Sequence, residues 1–92
     1  MNILVTGGAG YIGSVLVEKL LDWTKFYGPN LTESDRKVKK LVVLDNLSRK
    51  QNTLGRFCND ERFTFINGTV TDIDLVTGIL SDYDIEYIIP LA

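Results

Sequence analysis

An α/β fold with a parallel sheet is predicted by three observations on the 92-residue sequence. Short apolar runs recur along the chain, at Ile3-Leu4-Val5, Leu41-Val42-Val43-Leu44, Phe63-Thr64-Phe65-Ile66 and residues 85–91. Stretches with apolar residues at helical spacing separate the first run from the second and the third from the fourth. Turn-forming residues close the runs, with Thr6-Gly7-Gly8 after the first, Asp45-Asn46 after the second and Asn67-Gly68 after the third. Alternation of this kind is read as parallel strands joined by crossover helices, because parallel neighbours need a long connection.

Each element has its own warrant. Residues 2–6 form a buried strand, apolar up to the glycine cluster. The period then changes: Ile12, Val15, Leu16 and Leu20 recur at helical spacing over residues 10–23, with Trp23 as a possible extension and Glu18 and Lys19 facing outward. Residues 26–35 contain Gly28-Pro29-Asn30 and read as a polar loop. Arg36, Lys37, Lys39 and Lys40 form a solvated lead-in to the second strand, with an anion or partner site as the alternative. The second strand, 41–44, is apolar on both faces, as parallel strands are, and ends at Asp45. Residues 46–50 are a loop, and 51–57 a weak helical turn with Leu54 and Phe57 inward. The third strand, 63–66, leads to a short helix over 72–80 that packs Leu75, Val76, Ile79 and Leu80. Asp72 stands near the start of that helix, where a carboxylate suits the dipole. The fourth strand, 85–91, is expected to leave an open edge on its outer side.

Composition narrows the function classes. Ten Lys/Arg against twelve Asp/Glu give a net charge of −2, which argues against a nucleic-acid binder. No apolar stretch approaches the roughly 20 residues that span a bilayer. The glycine cluster interrupts the apolar residues after position 6, so no signal peptide is read and the cytoplasm is the expected compartment. With no histidine and one cysteine, Cys58, neither an internal disulfide nor a zinc site is expected.

The chemistry is concentrated in Thr6-Gly7-Gly8-Ala9-Gly10-Tyr11-Ile12-Gly13, a glycine-rich turn between a buried strand and an amphipathic helix. In a dinucleotide-binding turn Gly7 permits the tight exit from the strand. Gly10 lets a pyrophosphate approach the helix-start amides, and Gly13 lets the helix pack close to the sheet. A P-loop reading fails, since Gly13 runs directly into Ser14 with no lysine between them. Asp45 closes the second strand, where such domains place the acid that bonds the adenosine ribose. It stands 32 positions beyond Gly13, against roughly 20 in the usual fingerprint; the loop over 26–35 absorbs the surplus. A carboxylate there repels a 2′-phosphate and favours NAD, while Arg49 and Lys50 nearby leave NADP as the alternative. The expected architecture is thus a partial Rossmann-type parallel sheet of about four strands in the order 3-2-1-4.

These residues closely resemble the extended short-chain dehydrogenase/reductase superfamily, the NAD-dependent epimerase/dehydratases that act on nucleotide sugars, and within it the UDP-glucose 4-epimerase branch. Residues 1–21, including Gly-Gly-Ala-Gly-Tyr-Ile-Gly-Ser, look like the family's opening, and Val43-Leu44-Asp45-Asn46-Leu47-Ser48 is similar to its second-strand signature. Residues 65–72 and 85–92 match the third and fourth strands more loosely. The resemblance implies that Gly7, Gly10, Tyr11, Ile12 and Gly13 surround the pyrophosphate, and that Asp45, Asn46 and Ser48 meet the adenosine half. It places Leu91 and Ala92 beneath the nicotinamide side. It also implies a nucleotide-sugar substrate, a homodimer as one state of the parent, and coverage of only the first quarter to third of a family member.

Departures from the family pattern are informative. The family has an Asp near the adenine amino group after the third-strand glycine; here Thr69 and Val70 follow Gly68, leaving adenine to the backbone or the Thr69 hydroxyl. Pro90-Leu91-Ala92 replaces the family's His-Leu-Ala-Ala, and a proline suits only a strand's end, which points to a degenerate or spliced terminus. The family's catalytic Tyr-x-x-x-Lys pair is missing: none of Tyr11, Tyr27, Tyr83 and Tyr87 has a lysine four positions later. Residues 1–92 are therefore expected to be an N-terminal NAD-binding half-domain, without catalytic residues or a sugar-binding lobe, and marginally stable by themselves. The alternative is a truncated, non-catalytic NAD-binding or interaction module.

Overall fold

Uninterrupted valine, leucine and isoleucine residues can be buried on both faces of a sheet, and β1 (Asn2–Thr6) and β2 (Lys40–Asp45) are buried in this way. The computed structural model describes residues 1–7, 10–22, 38–46 and 57–91. Successive side chains of a strand point to opposite faces, so each strand contributes to two cores. Ile3, Val5, Leu41 and Val43 pack with Val17, Leu20 and Leu21 of helix α1 (Tyr11–Leu21). Leu4, Val42 and Leu44 point the other way and pack with Ile79 of helix α2 (Ile73–Asp82), flanked by Leu75, Val76 and Leu80. Burying one such side chain stabilises the fold by about 1.5–3 kcal/mol.

The order of the sheet follows from these two layers. Strand β3 (Phe63–Asn67) lies outside β2, and β4 (Tyr87–Pro90) lies outside β1, so the four strands run β3-β2-β1-β4 with every pairing parallel. The connection from β1 to β2 travels one way along the sheet, and that from β3 to β4 returns past both strands. Right-handed crossovers of opposite travel place their helices on opposite faces, and α1 and α2 occupy opposite faces. The direction of winding reverses at β1, which makes the C-terminal ends of β1 and β4 the crevice where such sheets receive ligands.

Local chemistry sets the element ends. The Asp72 carboxylate accepts the Leu75 N–H at 3.1 Å and caps α2, the task its place at the helix start predicted. Before β3, Arg62 grips Asp60 with Nε–Oδ1 3.0 Å and an outer nitrogen to Oδ2 at 2.7 Å. That fork holds the Asp60 carboxyl below the usual carboxylate range. Phe57, expected to point inward, is half-buried against the first core and meets Phe63 as a tilted ring pair with centroids 5.9 Å apart.

Two details differ from the sequence expectation. Of the expected inner stripe of α1, Leu20 is buried and Leu16 packs against the first core, but Ile12 is 73% exposed and Val15 40%. Gly13, Ser14, Val17, Leu20 and Leu21 are the buried set, because small residues let the first turn approach the sheet. The fourth strand is shorter than 85–91, and Pro90 is its last residue. Thr6 stands opposite Pro90, and in a parallel ladder its carbonyl accepts from the residue after its partner; Leu91 N–H donates to it at 2.8 Å, so the proline's missing N–H costs no rung toward β1. Among the described residues no strand pairs with the outer edge of β4, where Tyr87 and Ile88 are exposed. Trp23, the loop over 26–35, Arg36, Lys37, the loop over 47–50 with Arg49 and Lys50, and residues 51–56 with Leu54 lie outside the described residues.

Candidate functional site

All four strands end on one side of the sheet, and most of the residues expected to bind a nucleotide are gathered there. Gly7 leaves β1 with φ +75°, a conformation that glycine adopts without a Cβ penalty. Its N–H donates to the Leu44 carbonyl at 2.8 Å and carries the β1–β2 ladder to the rim. Gly10 is the N-cap of α1, with φ −79° and ψ −177°, and no side chain caps the helix. The first intrahelical bond runs from Ser14 N–H to the Gly10 carbonyl at 2.9 Å. The amides of Tyr11, Ile12 and Gly13 precede it and have no intrahelical acceptor, as at any helix start. No acidic residue occupies the first turn of α1, so the turn brings no carboxylate of its own to the positive end.

Position 10 is informative because nothing internal requires glycine there. Its backbone is extended, open to any residue. A Cβ built on it meets no atom within 4 Å. A side chain at position 10 would project into space that no described residue fills. Gly68 is a contrast: a Cβ there would collide with Leu75 Cδ2 and stand 3.3 Å from Leu44 Cδ1, so that glycine serves packing.

Next to the turn, an open cleft is lined by Gly7, Leu44, Asp45, Asn46, Gly68, Thr69 and Val70. Asp45 is the last residue of β2 and pairs with Asn67 of β3; its carbonyl accepts the Gly68 N–H at 3.1 Å. Asn46 is exposed beyond it, and Val70 is exposed on the β3 side. Thr69 Oγ1 lies 3.1 Å from Thr71 Oγ1 and accepts the Thr71 N–H at 3.3 Å. Leu91 sits on the opposite flank of β1, tied to Thr6. The structure thus gathers Gly7, Asp45, Asn46, Thr69 and Val70 in one cleft, with Gly10–Gly13 and Leu91 around the same rim. Ser48 and Ala92 lie outside the described residues. Leu44 and Gly68 were read as strand and turn residues but not as part of the site, and Thr71, which contacts Thr69, was not read; the Thr-x-Thr spacing after a strand-closing glycine was the signal for the last. Among the described residues no cluster of His, Cys, Asp or Glu could hold a metal ion, and no helix is long and apolar enough to cross a membrane.

Comparison with known proteins finds dehydratases and an epimerase among the relatives. The chain is 34% identical over 86 residues to dTDP-glucose 4,6-dehydratase of an Actinoplanes species, covering 91% of this chain and 25% of the relative. It is 37% identical over 93 residues to UDP-glucose 4-epimerase of Mycolicibacterium smegmatis, covering 100% of this chain and 25% of that one. The crystal structure of dTDP-glucose 4,6-dehydratase from Bacillus anthracis in complex with NAD superimposes with a TM-score of 0.80 at 28% identity, over 100% of this chain and 26% of that chain. The chain therefore spans about a quarter of the length of the curated relatives it matches. The profile of the GDP-mannose 4,6 dehydratase family matches residues 4–92, nearly the whole sequence, and the chain belongs to that family.

Proposed function

We propose that this chain is the NAD-binding portion of a nucleotide-sugar epimerase or dehydratase. The observation that carries the proposal is Gly10: a glycine that neither its backbone conformation nor its packing requires, beside helix-start amides at the C-terminal crevice of the sheet. A pyrophosphate fits that vacancy in side-chain space, and the amides of residues 11–13 with the positive end of α1 supply its counter-field. The rest of the dinucleotide is assigned along the strand order on the same reading. Asp45, one strand over, takes the ribose hydroxyls with Asn46 beside it, and Ser48 belongs to the same half. The base lies further along, at Thr69 and Val70. The nicotinamide half runs the other way, toward β4, Leu91 and Ala92.

When bound, NAD would accept a hydride from the sugar and return it. The task of these residues is to bind and orient the cofactor. The Asp45 carboxylate offers two acceptors to a ribose diol and repels a 2′-phosphate, so NAD is preferred to NADP. In a parent of the relatives' length, the tyrosine–lysine acid/base pair and the sugar-binding lobe belong to sequence outside these 92 residues. The cytoplasm is the compartment consistent with a single, exposed cysteine. Calorimetric titration of NAD and NADP into the chain tests the proposal: saturable binding of NAD, weaker for NADP, is expected. Equal binding of the two would overturn the role of Asp45, and no binding of either would overturn the function.

A further inference from the structure

The chain has six asparagines, and Asn67 alone is followed by glycine. A backbone nitrogen reaches the preceding side-chain amide most readily in that pairing, because glycine brings no side chain to obstruct the approach. Asn67 is exposed, and it is the last residue of β3, a strand that no other strand pairs on its outer side among the described residues. Gly68 is held in the sequence by packing: a Cβ there would collide with the Leu75 side chain.

In the folded chain the two reacting groups are kept apart. The Gly68 N–H donates to the Asp45 carbonyl at 3.1 Å, in the last rung between β2 and β3. That bond lies in the plane of the sheet, whereas a strand side chain stands roughly perpendicular to it. Attack on the Asn67 amide requires the backbone to turn at Asn67, and the turn breaks the rung. A rung at the end of an edge strand is among the first to open. Asp45 and Asn67 are partners in register, so their side chains share a face at a strand spacing of about 4.8 Å.

We propose that Asn67-Gly68 is a deamidation site gated by the Gly68–Asp45 rung, and that its product sets a second carboxylate beside Asp45. When the rung opens, the Gly68 nitrogen bonds to Asn67 Cγ and the Cγ–Nδ2 bond breaks; the amide proton leaves with the ammonia. Water then opens the succinimide at either carbonyl, giving aspartate or isoaspartate at position 67. Asp45 and Gly68 line the cleft, so the conversion alters its rim, and the like charges resist closure of the rung.

Incubating the full chain in mildly alkaline buffer, with and without denaturing urea, tests this. Cleavage after Arg62 releases residues 63–92, in which Asn67 is the sole Asn or Gln, so an amide-to-acid mass gain in that fragment reads this site alone. Hydrogen exchange of the Gly68 amide measures the opening of the rung. Deamidation is expected in urea, and should be slowed in the folded chain by at least the factor by which Gly68 exchange is slowed. No mass gain in urea overturns the site. A folded chain that deamidates as fast as in urea, or is slowed less than Gly68 exchange, overturns the gate. Asn67→Asp should quicken Gly68 exchange by up to about fourfold, the Boltzmann factor of two unit charges about 5 Å apart in water, and adding Asp45→Asn should remove the increase. Unchanged exchange in Asn67→Asp overturns the effect on closure. Should that variant not fold, the wild-type rates still decide the site and its gate.

Discussion

Gly10→Val separates binding from folding, because the structure gives that glycine no internal task. The backbone at φ −79°, ψ −177° lies in the extended region that β-branched residues favour. The added Cβ has no neighbour within 4 Å to collide with. Two small terms of opposite sign remain: a glycine N-cap is somewhat better than an apolar one, and removing glycine lowers the entropy of the unfolded chain by about 0.4–1 kcal/mol. Stability should therefore change by less than about 1 kcal/mol, a shift of no more than about 4–8 °C in Tm for a domain of this size. Binding is another matter, since the isopropyl group occupies the approach to the amides of residues 11–13. Overpacking of a tight contact costs about 1–3 kcal/mol, or about 5- to 150-fold in the dissociation constant for NAD. Gly10→Ala should fall between wild type and valine. Calorimetric titration, with a thermal melt by circular dichroism on the same samples, reads both quantities. A folded valine variant with unchanged NAD affinity would refute the reasoning, because the phosphates would then lie elsewhere.

Asp45→Ala should weaken NAD and narrow the gap to NADP, read by the same titration; an unchanged ratio of the two constants would move the ribose away from β2. The 92 residues incubated with NAD and UDP-glucose should yield no UDP-galactose, since none of the four tyrosines has a lysine four positions on; turnover would mean that another acid/base pair exists among them. The Asp60–Arg62 fork predicts a pH dependence of stability. Its folded pKa is lowered, so its contribution is complete above the ordinary carboxylate range and is lost as pH falls through the depressed folded value. The pair is partly exposed, so Asp60→Asn should cost no more than about 1 kcal/mol near neutral pH and less in acid, measured by urea melts at several pH values.

Strands, sheet order and the glycine turn were legible in the sequence for physical reasons. A run such as Leu41-Val42-Val43-Leu44 has no polar face, so it must be buried on both sides, and that is what a central parallel strand requires. The buried stripe of α1 was misread because hydrophobicity marked Ile12 and Val15, whereas close approach to the sheet selects Gly13 and Ser14. Pro90 was legible as a strand end, yet that its missing N–H costs no rung toward β1 depends on the register with Thr6, which no residue type announces. At the site, Gly7, Gly10 and Asp45 follow from the turn and the strand that carry them. The contact between Thr69 and Thr71 was not read, although it is local: the two hydroxyl residues stand two positions apart in the turn after β3.

The most direct test of the nucleotide-binding role is an amide chemical-shift map of the isotope-labelled chain titrated with NAD. Shifts are expected at Gly7, residues 10–13, Asp45, Asn46, residues 68–70 and Leu91, which ring the C-terminal rim of the sheet. Lys39, Arg62 and Glu86 stand at the opposite ends of the strands and should not move. Shifts concentrated on that opposite edge, or none at the glycine turn at saturating NAD, would contradict the account.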